Sequence, residues 1–162
     1  KDLATGWHPG KLSKVGLEQA KKLGEMVKDK QFAVVFCSDL KRAIDSAKLG
    51  FSKYKIIQDK QLREINYGDY TGKPHTFKSK LDSFISRPYP HGESYNEVGQ
   101  RILSFLKFLK RNYDGKHVAI VGHQAPQLAL DVLIRGKTWK SAIFEDWRKK
   151  KAWQPGWEYV LK

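Results

Sequence analysis

Two nearly continuous apolar runs, Ala33-Val34-Val35-Phe36-Cys37 and His117-Val118-Ala119-Ile120-Val121, constrain this chain more than any other feature. Each is too short for a buried helix and lacks the alternation of a half-exposed strand, so each reads as a strand covered on both faces. Each also leads through a few polar residues into a segment with helical spacing. A strand that must be covered twice and is followed at once by a helix is the repeating unit of α/β domains. Lys55-Ile56-Ile57-Gln58 reads as a short strand between them in the chain, and Trp157-Glu158-Tyr159-Val160-Leu161 as a last one. The predicted fold is an α/β three-layer sandwich with a mostly parallel central sheet and helices on both faces.

The helices are marked by their caps and spacing. Ser13 precedes Val15, Leu17, Ala20, Leu23, Met26 and Val27, which predicts a helix fading near Asp29. Ser38 or Asp39 is placed to cap a helix running to about Leu49. Residues 62–92 are punctuated by glycines and prolines, with a helix predicted around Thr76–Ile85. Ser94 and Glu97 form a capping box ahead of Val98, Ile102, Phe105, Leu106 and Leu109. Residues 125–135 form the helix after the last buried run. No repeat, low-complexity tract or linker interrupts the chain. At 162 residues it is expected to make one domain, 1–162.

Composition narrows the function classes. Hydrophobic residues are 40% and charged residues 30%, enough apolar material to bury a core and exclude a disordered tail. A single Cys37 excludes an internal disulfide framework and a cysteine-rich zinc site, and it fits a reducing cytoplasm. No apolar run approaches the roughly 18 residues of a membrane span. The net charge of +14 draws anionic ligands. Its lysines are spread along the chain rather than gathered in a stripe, and no named nucleic-acid motif occurs, so a small anionic partner is expected over DNA or RNA.

In open α/β sheets ligands bind beyond the carboxyl ends of the strands, and two segments carry polar groups there. Cys37-Ser38-Asp39-Leu40-Lys41-Arg42 puts Arg42 in the first turn of a helix, where the dipole and backbone N–H groups favour an anion. The structural alternative is an ion pair of Arg42 with Asp39 or Asp45. Val121-Gly122-His123-Gln124-Ala125-Pro126 brings His123 out of a buried strand into a helix start, with Gln124 beside it and Gly122 permitting close approach. Glu64, expected just after a strand in Leu62-Arg63-Glu64-Ile65-Asn66-Tyr67-Gly68, is a third candidate. A partly desolvated carboxyl there has a raised pKa and can deliver a proton; the alternative is a solvated partner of Arg63 or Lys60. No ligand set with metal spacing accompanies them, so neither metal nor cofactor is expected.

Taken together, these segments resemble the histidine phosphatase superfamily, the branch that includes cofactor-dependent phosphoglycerate mutases. Gly6-Trp7-His8-Pro9-Gly10-Lys11-Leu12-Ser13 resembles the loop entering its first helix, and Leu17-Glu18-Gln19-Ala20 the start of that helix. Ser38-Asp39-Leu40-Lys41-Arg42-Ala43 resembles the motif of the second active-site arginine. Leu62 to Gly68 resembles the acidic motif, His91-Gly92-Glu93-Ser94 the Gly-Gly-Glu-Ser turn, and Val121-Gly122-His123 the strand with the second histidine. The segments stand in family order over nearly the whole chain.

The resemblance implies a phosphatase that forms a phosphohistidine, with Arg42 and His123 on the phosphate oxygens, Gln124 beside them, and Glu64 as acid and then base. It also implies an Arg-His-Gly motif ending a first strand, and the 162 residues contain none. His91-Gly92-Glu93 mimics it but follows Pro88 and Pro90 rather than a buried strand. The expected domain therefore lacks its first strand and its nucleophilic histidine, and it should hold phosphate without turnover. The short stretch between Glu64 and His91 favours a phosphatase over a mutase. A non-catalytic phosphate-binding module of the same fold is the other alternative.

Overall fold

The computed structural model describes residues 3–150 and 153–162. Its contacts divide the chain into two compact units: Pro9–Arg63 with Phe105–His123, here the sheet unit, and Lys1–His8 with Glu64–Ser104 and Gln124–Lys162, here the loop unit.

The sheet unit contains helix α1 (Lys14–Val27), strand β1 (Val34–Cys37), helix α2 (Lys41–Gly50), strand β2 (Ile56–Gln58) and strand β3 (Val118–Val121). It also holds the C-terminal part of helix α3 (Tyr95–Tyr113). The three strands are parallel in the order β2-β1-β3, with Val35 opposite Ile56 and Ala119, and Cys37 opposite Gln58 and Val121. Successive β1 side chains leave on opposite faces. Val35 packs with Phe51, Leu23 and Val27 on the side of α1 and α2. Phe36 meets Phe105, Phe108 and Tyr113 of α3 edge-on, with ring centroids 5.4, 5.8 and 5.6 Å away. One dipeptide thus reports three layers, helix, sheet and helix, as expected for parallel strands.

All four β1 residues are buried, but β3 keeps only Ala119 buried. The expectation of full cover fails for β3 because, among the described residues, it pairs on one side alone. Ser13 caps α1 by accepting the N–H of Gly16 at 3.1 Å. Close packing of α1 on α2 depends on Gly24, where a methyl group would stand 3.2 Å from the Leu49 carbonyl oxygen. The expected cap of α2 by Ser38 or Asp39 is corrected. Leu40 holds the cap position without a side-chain bond. Ser38 Oγ accepts the N–H of Leu40, and Asp39 is engaged by Arg63.

The loop unit contains the N-terminal part of α3, helix α4 (Gln124–Leu133), helix α5 (Trp139–Phe144) and short 3-10 segments. The capping box at α3 forms as expected: Glu97 N–H donates to Ser94 Oγ, and Ser94 N–H donates to Glu97 Oε2. Residues 66–69 and 89–93 are laced together by Glu93 N–H to the Asn66 carbonyl and Asp69 N–H to the Pro90 carbonyl. The lacing requires Gly68, at φ +49°, and Gly92, since a side chain on either would strike the opposing backbone. His91, at φ +56°, is the residue of this turn in the left-handed region that carries a side chain; its Nδ1 faces Asp69.

The helix expected at Thr76–Ile85 is a 3-10 segment, His75–Phe84, broken at Lys80. α5 was not anticipated, and the strand expected at Trp157–Leu161 is absent. Side chains hold that tail instead. Tyr159 donates its hydroxyl to Asp131 at 2.8 Å, Arg135 lies over the Tyr159 ring, and Arg135 also donates to the Glu158 carbonyl.

Cys37 is fully buried, and burial pushes its thiol up to about 11, with the nearby Asp39 charge adding to the shift and Lys48 opposing it. At pH 8 it should resist Ellman's reagent and react only as fast as the chain unfolds. Labelling rates with and without denaturant check this; immediate labelling of the folded chain contradicts the buried β1.

Candidate functional site

β1 and β3 are adjacent, parallel and in register through Cys37 and Val121, so the residues after them emerge at one end of the sheet. The ladder extends one step further, with Ser38 N–H donating to the Val121 carbonyl at 2.9 Å. From this end rise Arg42, the second residue of α2, and His123, the residue before α4. Both are half-buried, and the Nε2 of His123 lies out of reach of solvent. Arg42 extends toward Gly10, its Cδ and Nη1 each 4.0 Å from where a methyl group on Gly10 would stand.

The ion pairs suggested as structural alternatives for Arg42 are taken by other residues. Asp39 is gripped by Arg63 through two bonds, Nε to Oδ1 at 2.7 Å and Nη2 to Oδ2 at 2.6 Å. Asp45 pairs with Lys41 at 2.9 Å. Hydrogen bonding to Arg63 holds the Asp39 carboxyl below the usual aspartate range, against its partial burial; the Arg63 charge and, more weakly, His123 add to the effect. The sequence reading missed Arg63 in this role. Its signal was weak, since only the spatial register of β1 and β2 brings residues 39 and 63 together.

Glu64 follows a 3-10 turn (Lys60–Leu62), not a strand as expected, and it is 8% exposed. It pairs with neither Arg63 nor Lys60. Its Oε1 accepts the N–H of Ile65 at 3.0 Å and of Ala125 at 2.9 Å; its Oε2 accepts the N–H of Gln124 at 3.2 Å. The carboxylate therefore caps α4, where helix N–H groups lack intrahelical acceptors and the dipole favours negative charge. Oε1 has both lone pairs occupied, whereas Oε2 accepts one bond among the described residues.

Gln124 and Glu64 are thus brought together, as are Arg42 and His123 at the sheet end. The side-chain amide of Gln124 donates to Asp146. The Glu64 carbonyl accepts from Trp7 Nε1 at 2.7 Å and Arg101 Nη2 at 3.1 Å. Arg101 was not anticipated, although an arginine beside the apolar positions 98, 102 and 105 of a helix is itself a sign of a buried partner. His117 is exposed. A cavity of about 540 Å³ between α4 and the tail is lined by Gln127, Asp131, Arg135, Asp146, Trp147 and Trp157, but by none of the four candidates. Among the described residues no three His, Cys, Asp or Glu side chains could share a metal ion, and no helix is long and apolar enough to cross a membrane.

Residues 1–142 match the family model for the histidine phosphatase superfamily, branch 1. The 2,3-bisphosphoglycerate-dependent phosphoglycerate mutase of Methylorubrum populi is 28% identical over 163 residues, covering 87% of this chain and 75% of the mutase. The uncharacterized phosphatase PhoE of Bacillus subtilis is 32% identical over 127 residues, covering 77% of this chain and 65% of that protein. Among solved structures, the alpha-ribazole phosphatase of Shigella flexneri aligns with a TM-score of 0.75 at 26% identity, over 86% of this chain and 75% of that one.

The Asp39–Arg63 pair predicts a pH dependence of stability. Because folding lowers the Asp39 pKa, its contribution is complete above the ordinary aspartate range and lost as pH falls through the depressed value. Asp39→Asn should cost about 1 kcal/mol at pH 7, discounted for partial exposure, or roughly 2–4 °C in Tm. Melting curves from pH 7 to pH 2 should show the gap between the two proteins closing with acid.

Proposed function

Because the chain belongs to the histidine phosphatase superfamily, branch 1, we propose that it is the body of a phosphatase that hydrolyses small phosphate monoesters through a phosphohistidine. The 162 residues act as one histidine-phosphatase domain without its first strand, and the attacking histidine belongs to an Arg-His-Gly motif that they do not contain. The observation that carries this reading is the pairing of β1 with β3, which brings Arg42 and His123 to one end of the sheet.

In the proposed reaction an imidazole nitrogen attacks phosphorus while the bond to the leaving oxygen breaks. Charge then grows on the equatorial phosphate oxygens, where the Arg42 guanidinium and the His123 ring donate to it. Arg42 suits this task because its donors form a planar fork matched to phosphate oxygens, and α2 begins beside it. Glu64 protonates the departing alkoxide. In the second half the same carboxylate accepts a proton from water as that water attacks the phosphohistidine, which releases inorganic phosphate and restores the imidazole. Oε2 supports both steps, since its remaining lone pair can carry the proton. Gln124 holds that oxygen through its backbone N–H and flanks the phosphate. The +14 charge speeds encounter with an anionic ester, and a reducing cytoplasm suits the lone Cys37.

The 162-residue chain should bind inorganic phosphate or vanadate without hydrolysing esters. Arg42→Ala and His123→Ala should each weaken binding at least tenfold, read by calorimetry. Joined to a strand ending in Arg-His-Gly, the chain should hydrolyse esters and trap an acid-labile phosphoenzyme. Transfer to a phosphoglycerate instead of water makes it a mutase, as relatives such as the Methylorubrum enzyme are named. Undiminished phosphate binding by both variants overturns the assignment of Arg42 and His123.

A further inference from the structure

We propose that Arg101 is a positioning residue for Glu64, acting with Glu93 to fix the backbone from which the glutamate projects; the proposal rests on the reading of Glu64 as the proton-transfer group.

Arg101 lies on α3, its side chain only 16% exposed. Its guanidinium bonds in two directions among the described residues. Nε donates to Glu93 Oε1 at 3.0 Å, and Nη2 donates both to Glu93 Oε2 at 3.2 Å and to the Glu64 carbonyl at 3.1 Å. Glu93 Oε2 also accepts the N–H of Asn66 at 2.8 Å, while the N–H of Glu93 donates to the Asn66 carbonyl at 2.9 Å. The peptide groups on both sides of Ile65 are thereby held, and Ile65 itself is fully buried. Trp7 closes the grip on the Glu64 carbonyl from the chain's first loop. At the far end of the side chain the carboxylate is held by Gln124 and Ala125.

A pair that only fastened a loop to a helix needs Arg101 and Glu93 alone. The third bond, to the carbonyl of the candidate acid itself, marks the different role. A glutamate whose backbone is fixed at one end and whose carboxylate is fixed at the other has little torsional freedom. Its Oε2 is then presented in one direction. Lysine cannot substitute fully, because a point ammonium cannot chelate Glu93 and reach the carbonyl in one planar geometry.

The test reads the carboxylate directly. The first N–H groups of a helix have no intrahelical acceptor, so protection of the Gln124 and Ala125 amides reports their bonds to Glu64. In the 162-residue chain Arg101→Gln should speed hydrogen exchange at both amides at least tenfold and move their proton resonances upfield. Exchange at Ala47 in α2 should stay unchanged, and Arg101→Lys should restore part of the protection. Should Arg101→Gln fail to fold, Glu93→Gln carries the same expectation. Unchanged protection at Gln124 and Ala125 in a folded variant overturns the proposal.

A second arm uses the chain joined to a strand ending in Arg-His-Gly, once shown to be active, and two esters. Read as kcat/KM, which ends at release of the leaving group and so excludes the later attack of water, Glu64→Gln should lose at least a hundredfold on an alkyl phosphate and little on p-nitrophenyl phosphate, whose leaving group needs no proton. Arg101→Gln should repeat that selectivity at about tenfold, and it should add nothing to Glu64→Gln. Equal losses on both esters for Arg101→Gln, with Glu64→Gln selective, overturn the positioning role. A Glu64→Gln variant without selectivity overturns the acid role instead, while the exchange result stands by itself.

Discussion

A carboxylate taken out of water must be given donors, and Glu64 receives three backbone N–H groups from Ile65, Gln124 and Ala125. Two of them are the first N–H groups of α4, which would otherwise lack partners in a buried helix start. The debt is mutual: the helix satisfies the carboxylate and the carboxylate satisfies the helix. This explains why α4 can begin without a Ser, Thr, Asp or Asn at its cap position, where His123 stands instead. A conventional capping side chain would occupy the N–H groups that Glu64 uses. The position before α4 is thus released from capping and can hold an imidazole.

A parallel logic governs α2. It too starts without a side-chain cap, because Ser38 is turned back to Leu40 and Asp39 is claimed by Arg63. Two strand-to-helix junctions thus leave their helix starts undecorated by their own local residues. A helix start closed by its own cap is satisfied but chemically spent. The start of α4 is instead satisfied from a distance by Glu64, which relieves the residue before it, His123, of the capping task.

Most of the sheet unit was legible in the sequence because its signals are local. The runs at 33–37 and 117–121 differ from their surroundings in composition, and α1, α2 and α3 carry spacing or caps that one stretch reveals. What was not legible depended on distant partners. Trp157–Leu161 has the composition of a strand, yet Tyr159 and Arg135 satisfy it through side chains. Glu64 read equally well as a solvated surface acid, since nothing near residue 64 announces Gln124 and Ala125. Asp39 looked like a cap or a partner of Arg42 because sequence distance ranked residue 42 above residue 63. In each case the error followed the same direction, preferring the near neighbour over the one supplied by the fold.

The distribution of the two basic residues carries this further. Lysine outnumbers arginine by 24 to 7, and a uniform solvated surface would be indifferent to which is used. Four of the seven arginines sit on fixed acceptors, while Arg87 and Arg111 are exposed. Arg63 forks Asp39, Arg101 forks Glu93, Arg135 bonds Asp131 and the Glu158 carbonyl, and Arg148 bonds Asp146 and Gln127. Each of these positions asks for several donors held in a plane, which a lysine ammonium cannot provide. Lysine supplies the long-range field that attracts anions, while arginine supplies fixed directions. Arg42 is of the same residue type and stands half-buried where β1 and β3 end, and the proposed phosphate contact would use its donors in the same planar way.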